Sequence, residues 1–393
     1  MKTRAKSKNK STISTIVKTA IITFVLTTVL FVVLILFDGK ILKLKLLDYY
    51  VNNYYYGEVS SSDTENAVMN GYVHSLNDKY AAFYKTDDAK SRNNRLVGIE
   101  KGLGITVFSH PDNNTMCIKS VASGSSADKA GLLKGDEIVE IDGNNVTKMS
   151  FSDALALVVR EIGQEVNLKV LRNKETLDIS ARYSNYTSQS VYYHTIDNFG
   201  YVEIYSFNSQ TVPQFKTAVE NLMSSGVKGL IFDVRGNGGG TVDSVIEIID
   251  YLVPEGTVMT CVYKDGEKEI LSSDENEISL PMVVLTDHAT ASAAELFSAS
   301  IRDFDKGILV GTKTFGKGVM QGTFDFPDKS SAVFTIAEFY THSGESYNEK
   351  GLEPDIKVEL TEEQIKYFNL LQDNEDPVKV AAINFLKGVC NEN

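Results

Sequence analysis

The segment PMVVLTDHATASAAELFSASIRDFDKGILVGT, residues 281–312, decides the fold of this chain. It opens with PMVVLTD, a short apolar run of the kind that forms a buried strand. A helical pattern, SAAELFSASIRDF, follows at once, and KGILVGT then reads as a second buried strand. A strand, a helix and a strand in this order predict an α/β layered core.

The same alternation continues on both sides of this segment. Upstream, FGYVEIYSF predicts a strand, QTVPQFKTAVENLMSSG predicts an amphipathic helix, and VKGLIFDVRGNGGG predicts a buried strand that enters a glycine-rich turn. The helix SVIEIIDYLV comes next. We therefore expect the core to occupy residues 185–360, with two C-terminal helices in residues 361–393 joined near Pro377.

Residues 97–184 predict a separate β-rich module. GLGITVF and MCIKSVA have strand-like composition, FSDALALVVREIG has the pattern of an amphipathic helix, and VNLKVLR predicts the closing strand. The segment AGLLKGDEIVEIDG, residues 130–143, resembles a PDZ domain. In such a domain successive backbone N–H groups form a concave anion site, and a peptide tail adds as an edge strand.

Composition excludes several kinds of site. The formal net charge of −13 over 393 residues argues against nucleic acid as a partner, because phosphate binding needs a basic face. Cys117, Cys261 and Cys390 are far apart, so the sequence predicts neither a zinc site nor a disulfide framework. With no Walker loop and no zinc-binding motif in the sequence, we expect no metal and no cofactor.

The N-terminal region predicts a membrane anchor. Residues 1–18 include a basic tail, and residues 19–37 carry no charge and are rich in Leu, Val, Ile and Phe. About 20 apolar residues span a bilayer as a helix, and the basic flank predicts a cytoplasmic N-terminus. A cleaved signal peptide is the alternative, although no small-residue cleavage site follows the run. The remainder then lies outside the cytoplasm, and residues 38–96 predict a helical region whose tyrosines serve packing or a dimer contact.

Ser292 and Lys317 are the candidate catalytic residues. Ser292 stands where a strand turns into a helix, and the free N–H groups of a helix start can stabilise an oxyanion. Lys317 lies in Phe315-Gly316-Lys317-Gly318, and flanking glycines favour a tight backbone in a cleft. A lysine can deprotonate a serine only when burial lowers its pKa from about 10.4 towards neutrality.

These motifs together resemble the carboxyl-terminal processing, or tail-specific, proteases from about residue 48 to residue 360. The resemblance rests on Ala291-Ser292-Ala293, the turn DVRGNGGG, Thr314–Gly318, the PDZ-like module and the later YTHSGESYNEKGLEPDI. It implies a crotonase/ClpP-like α/β protease core with an inserted or preceding PDZ domain, to which the apolar run at residues 19–37 adds an expected N-terminal transmembrane helix. It also implies that the substrates are proteins with accessible C-termini, and it suggests a homodimer.

The resemblance assigns a role to each site residue. Ser292 would be the nucleophile, Lys317 the general base and Gln321 the residue that supports the lysine. Backbone N–H groups of Ala293 and of the glycine turn, at Gly238 and Gly239, would form the oxyanion hole. The carboxylate-binding loop would consist of Gly102, Leu103, Gly104 and Ile105. Arg160 would sense the bound state, and Asp303 matches a position of functional importance in the family.

Three other interpretations stay open at the level of the sequence. His288 invites a serine–histidine mechanism, although it stands four residues ahead of Ser292, across a strand–helix turn. A noncatalytic membrane scaffold could use the PDZ-like module to hold partner tails. A crotonase-like acyl-CoA enzyme shares the expected core, but the predicted anchor and PDZ-like module argue against CoA as a substrate outside the cytoplasm.

Overall fold

The computed structural model describes residues 16–31, 33 and 39–391, and the chain forms two compact units, Met1–Tyr72 and Val73–Asn393. Helices α1 (residues 16–31), α2 (Gly39–Tyr54) and most of α3 (Ser61–His74) belong to the first unit. Within the described ranges, no helix is both long enough and apolar enough to cross a membrane. The predicted span at residues 19–37 includes positions 32 and 34–37, which lie outside the described residues.

A six-stranded sheet forms the centre of the second unit, in the order β10-β11-β12-β15-β16-β19. Its strands are β10 (Val191–Ile196), β11 (Phe199–Ile204), β12 (Leu230–Asp233), β15 (Met282–Thr286), β16 (Gly307–Gly311) and β19 (Ile356–Lys357). All neighbours pair in parallel except β10 and β11. Every residue of β12 and β15 is buried, as expected for a sheet that is covered on both faces.

Helices cover the two faces of this sheet. The covering helices are α7 (Thr211–Ser224), α8 (Val242–Asp250), α9 (Ala293–Asp303) and α11 (Pro377–Asn391). The short helix α10 (Glu362–Lys366), which has no buried residue, and a 3-10 turn at Phe368–Leu370 precede α11. Leu230 and Phe232 pack into the cluster with α7, α8 and α9, whereas Ile231 packs into the cluster with α11. The alternation of side chains along β12 therefore divides the core into two layers, and the expected α/β core is confirmed.

A second, antiparallel sheet lies beside this core in the order β1-β18-β13-β14, with β17 paired to β18. Its strands are β1 (Ala82–Tyr84), β13 (Gly256–Tyr263), β14 (Lys268–Ser273), β17 (Val319–Asp325) and β18 (Ser331–Thr341). Helix α4 (Thr86–Leu96) follows β1, and the short ribbon β2 (Ile99–Gly102) pairs with β9 (Ser184–Thr187). This ribbon brackets the β-rich module, which is inserted between β2 and β9.

The β-rich module has its own sheet and its own core. Its elements are β3 (Ile105–Ser109), β4 (Met116–Val121), α5 (Ser126–Lys129), β5 (Glu137–Ile141), β6 (Asn144–Asn145), a 3-10 turn (Val146–Lys148), α6 (Phe151–Ala156), β7 (Glu165–Arg172) and β8 (Glu175–Arg182). The sheet runs β3-β4-β5-β7-β8, so β3 is an edge strand. An edge strand of this kind can accept an added peptide strand.

The helix predicted over FSDALALVVREIG is shorter than expected, because α6 ends at Ala156. Leu155, Val159 and Ile162 are exposed, so a longer helix would have no apolar surface on which to bury that face. Arg160 therefore lies in the connection after the helix and not at its end.

Candidate active site

Ser292 lies at the turn between β15 and α9 in a strained backbone conformation. Its φ is 58° and its ψ is −120°, a combination that a residue with a Cβ rarely adopts. The hydroxyl of Tyr347 donates to the Ser292 carbonyl at 3.0 Å and helps to hold this geometry. The sharp strand-to-helix turn presents a half-buried serine at the carboxyl edge of the central sheet.

Glu295 connects the serine to the lysine-bearing turn. Its oxygen Oε2 accepts from the backbone N–H of Ser292 at 2.9 Å and from that of Lys317 at 2.8 Å. Its other oxygen accepts from Thr314 Oγ1 at 2.5 Å and from Gly316 N at 2.7 Å. Glu295 is completely buried, so the two backbone nitrogens of the candidate pair are held by one inaccessible oxygen.

Lys317 is half-buried and lies against an aromatic ring. Its Nζ is 4.6 Å from the ring centroid of Tyr80, and among the described residues no ion pair or hydrogen bond involves this nitrogen. Burial lowers the pKa of Lys317 from its ordinary value; Asp78 and Glu295 oppose this shift, and Arg92 adds to it. A partly desolvated lysine without a carboxylate in contact is the arrangement that favours the neutral amine.

The glycines beside Lys317 are required by close backbone packing. A Cβ on Gly316 would lie 2.8 Å from the nitrogen of Gly351, and one on Gly318 would lie 2.8 Å from that of Asn348. No side chain fits at these distances. The expected tight backbone is therefore present on both sides of the lysine.

The glycine turn approaches Ser292 closely. A Cβ on Gly239 would lie 2.8 Å from the carbonyl oxygen of Ala291 and 2.9 Å from the nitrogen of Ala293. The N–H of Gly239 donates to Asn237 Oδ1 at 2.8 Å. The N–H groups of Gly238 and Ala293 have no acceptor among the described residues. Of the three predicted oxyanion donors, the N–H groups of Gly238 and Ala293 are thus available, whereas the N–H of Gly239 is already bonded to Asn237.

Buried polar side chains fix the position of the glycine turn. Asn237 is fully buried, its side-chain amide donates to the Ile204 carbonyl at 2.8 Å, and its own carbonyl accepts from Ala291 N at 2.9 Å. Arg235 precedes it and pairs with Asp376 at the start of α11 at 2.8 Å. The turn is therefore tied to the central sheet, to the serine segment and to the C-terminal helix.

Gln321 does not contact the lysine amine. It lies on β17, and its side-chain amide donates to Val319 O at 3.3 Å and to Thr335 Oγ1 at 3.4 Å. The backbone N–H of Thr335 in turn donates to Asp78 at 2.7 Å. The structure therefore links Gln321 to the segment that faces Lys317 and gives it no direct contact with Nζ.

The three other polar residues singled out in the sequence lie elsewhere. His288 is exposed and has no hydrogen-bond partner among the described residues. Asp303 stands at the far end of α9 from Ser292 and accepts from Thr341 Oγ1 at 2.6 Å. Arg160 pairs with Asp142 inside the β-rich module.

The predicted carboxylate-binding loop connects β2 to β3. The N–H groups of Leu103 and Gly104 have no acceptor among the described residues, and Ile105 begins the edge strand. A Cβ on Gly104 would lie 2.2 Å from the Cβ of Ser125, so only glycine fits there. Gly102 ends β2. The loop therefore offers two free donors beside an open strand edge.

Sequence reasoning missed Glu295, Tyr80 and Asn237. The spacing Ser-x-x-Glu at the start of a helix is the signature of a capping box, so Glu295 could have been identified as a helix-start residue. Its bonds to Gly316 and Lys317 depend on a turn that is distant in sequence. Tyr80 carries no local motif that would have identified it.

Comparison with known proteins gives matches over both parts of the second unit. The model of peptidase family S41 matches residues 198–358, and that of the PDZ domain matches residues 101–182. The chain is 31% identical over 327 residues to the carboxy-terminal processing protease CtpA of Bacillus subtilis (strain 168), which covers 82% of this chain and 70% of the relative.

Two further proteins extend the comparison. A probable CtpA-like serine protease of Staphylococcus haemolyticus (strain JCSC1435) is 28% identical over 81% of this chain and 65% of its own length. A solved structure from Bacteroides fragilis NCTC 9343, whose name places it among S41 proteases, superposes with a TM-score of 0.60. It covers 80% of this chain and 88% of the solved chain at 19% identity, which is evidence for the fold alone.

Proposed function

Because this chain belongs to peptidase family S41 and is a serine peptidase, we propose that Ser292 and Lys317 are its catalytic dyad. The observation that carries the proposal is the shared oxygen of Glu295, which fixes the backbone nitrogens of both residues. The lowered pKa of Lys317, caused first by burial, supports its role as a general base. Exposed His288 has no such support.

In the proposed reaction, Ser292 Oγ attacks a peptide carbonyl while the neutral amine of Lys317 takes its proton. The N–H groups of Gly238 and Ala293 stabilise the oxyanion of the tetrahedral intermediate. The Lys317 ammonium gives its proton to the leaving nitrogen as the C–N bond breaks, which leaves an acyl-enzyme and a neutral lysine. That lysine then takes a proton from the water that attacks the acyl group, and the proton returns to Ser292 Oγ as the ester bond breaks. No hydrogen bond joins Ser292 Oγ to Lys317 Nζ in the described part of the chain, and catalytic hydrogen bonds commonly tighten only when substrate binds.

The substrate in this proposal is a protein with an accessible C-terminus. The free N–H groups of Leu103 and Gly104 support capture of a terminal carboxylate, and the edge of β3 supports pairing with the tail. Cleavage near the C-terminus follows if the same tail then reaches Ser292. The proposal also includes Arg160 as a sensor of the bound tail and assembly of the chain as a homodimer.

The proposal also includes an N-terminal membrane anchor and an extracytoplasmic catalytic part. Its support is the sequence alone: the uncharged run at residues 19–37 and the basic residues before it. Addition of an external protease to intact cells tests this arrangement. It should degrade the catalytic part only if that part lies outside the cytoplasm.

The proposed reaction is tested with a folded reporter protein that carries an apolar, unstructured C-terminal tail. Mass spectrometry of the products should reveal trimmed reporter with the wild type and with Lys313→Ala, whose exposed lysine pairs with Glu353. Ser292→Ala and Lys317→Ala should leave the tail intact. Tail binding without cleavage by the wild type would instead support the noncatalytic scaffold, and turnover by Lys317→Ala would reject the dyad.

A further inference from the structure

We propose that Tyr80 is a positioning residue for Lys317. The face of the Tyr80 ring receives the ammonium that forms when Lys317 takes the proton of Ser292. This inference rests on the proposed dyad. It adds a residue from the segment before β1, outside the motifs that carry the family resemblance.

The contact is close, and the ring is the one partner that the described residues give to the lysine nitrogen. Lys317 Nζ lies 4.6 Å from the ring centroid of Tyr80, and no described residue forms a hydrogen bond or an ion pair with that nitrogen. A cation is attracted to the negative face of an aromatic ring, whereas a neutral amine gains much less. The ring therefore stabilises the charged lysine, the form that appears only after proton transfer, and in this way it favours the transition state.

The backbone around Tyr80 is fixed on both sides. The carboxylate of Asp78 accepts from the N–H of Tyr80 at 2.9 Å and from the N–H of Thr335 at 2.7 Å. Two residues later the chain enters β1, where Ala82 pairs with Val333 of β18. The ring is thus carried by a segment attached to the same sheet whose strand β17 follows Lys317.

The hydroxyl of Tyr80 takes no part in this role. It is buried and has no hydrogen-bond partner within the described part of the chain. A buried hydroxyl without a partner is unfavourable, so its replacement by hydrogen should not weaken the fold. The ring face and the hydroxyl can therefore be separated by substitution.

Other charged groups lie around Lys317 and its contact with Tyr80, and the variants at position 80 must leave them in place. Asp78 and Glu295 favour its charged form, and Arg92 disfavours it. Lys79 places its own Nζ 5.0 Å from the same ring of Tyr80. None of these four side chains is altered by a substitution at position 80.

The test compares Tyr80→Leu and Tyr80→Phe in the full-length chain, with kcat/KM measured against pH on the tail-bearing reporter. Tyr80→Leu keeps an apolar side chain and removes the ring, so kcat should fall by about tenfold. The acid limb of the profile should move to lower pH, because the ammonium of Lys317 has lost a stabilising contact. Tyr80→Phe keeps the ring, so its kcat should be close to that of the wild type and the acid limb of its pH profile should lie at the wild-type pH.

Controls separate this role from a loss of packing and from failure of the dyad itself. Phe83→Leu removes a ring of the same segment that packs against Phe326, and Lys79→Ala removes the second ammonium; both should leave the limb in place. The inference would be overturned if the acid limb of Tyr80→Leu stayed at the wild-type pH or moved to higher pH. It would also be overturned if Tyr80→Phe lost as much kcat as Tyr80→Leu. Turnover by Lys317→Ala would instead reject the dyad on which it rests.

Discussion

The backbone nitrogens of Ser292 and Lys317 donate to the same oxygen, Oε2 of Glu295. Each lies less than 3 Å from that oxygen, so the separation of the two nitrogens cannot exceed the sum of these two distances. Ser292, which immediately precedes α9, and Lys317, which lies between two glycines, are thus held together by a side chain that solvent cannot reach. Preorganisation of this kind is what a dyad requires.

Glu295→Gln should disrupt this connection. Four donors converge on the side chain, and a glutamine would turn an NH₂ group towards donors that need an acceptor. We expect a loss of stability of about 1–3 kcal/mol, measured by chemical denaturation. The value of kcat should fall on the order of 100-fold because the serine and lysine are displaced.

The exposed Glu353→Gln, which loses a surface ion pair with Lys313, is the control and should change both quantities little. Normal turnover by Glu295→Gln would contradict a positioning role for this carboxylate.

Gly239→Ala should abolish activity through backbone displacement. The new Cβ would lie within 2.9 Å of the Ala293 nitrogen and the Ser292 Cβ, at a φ of +99°. We expect kcat to fall by about 100- to 1,000-fold, as when one oxyanion donor is lost. Gly266 has a φ of +87° and open space around it, so Gly266→Ala introduces the same kind of backbone strain without crowding and serves as the control. Equal kinetic effects from the two variants would argue against crowding at the serine.

Lys317→Met should make the protein more stable at neutral pH. Burial lowers the pKa of Lys317 in the folded state, so between this pKa and the unfolded value of about 10.4 the unfolded chain binds more protons. Stability of the wild type therefore rises with pH across that window, and the penalty is greatest below it. The advantage of Lys317→Met in denaturant midpoint should shrink as the pH approaches the unfolded value.

Lys313→Met, at an exposed site, should bring no such pH-dependent advantage. A wild-type protein that is more stable than Lys317→Met at neutral pH would show that burial of this amine is not unfavourable.

Gly104→Ala should abolish recognition of peptide tails. The added Cβ would lie 2.2 Å from the Cβ of Ser125 and would displace the loop that carries the two free N–H groups. Calorimetric titration of a tail peptide into Ser292→Ala protein should give binding that Gly104→Ala removes. Amidation of the peptide C-terminus should weaken binding in the parent protein.

Gly143→Ala is the control, because Gly143 has a positive φ in open space of the same module, and this variant should still bind the peptide. Loss of binding in both glycine variants would mean general destabilisation of the module.

Much of the fold follows from local pattern. Apolar runs such as that of β15 and periodic segments such as those of α7 and α9 have strong signals, and they form where expected. The segment after Ala156 has a helical pattern but no surface to cover, so tertiary context ended the helix there.

The site was predictable only in part. Ser292 and Lys317 stand in motifs that sequence can identify, whereas the contacts of Glu295, Tyr80 and Asn237 depend on segments that meet only in the folded chain. The predicted support of Lys317 by Gln321 stays a prediction, because among the described residues the Gln321 amide has no hydrogen bond to that lysine. That amide contacts Thr335, whose N–H reaches Asp78.

The rate at which a serine-directed fluorophosphonate labels Ser292, measured as a function of pH, tests the central claim most directly. In the wild type the rate should rise with pH through the lowered pKa of Lys317, because only the neutral amine can take the proton of the serine. In Lys317→Ala the labelling should be slow and without that rise, while Lys313→Ala should follow the wild type. Labelling of Lys317→Ala at the wild-type rate, with the same pH profile, would contradict the account.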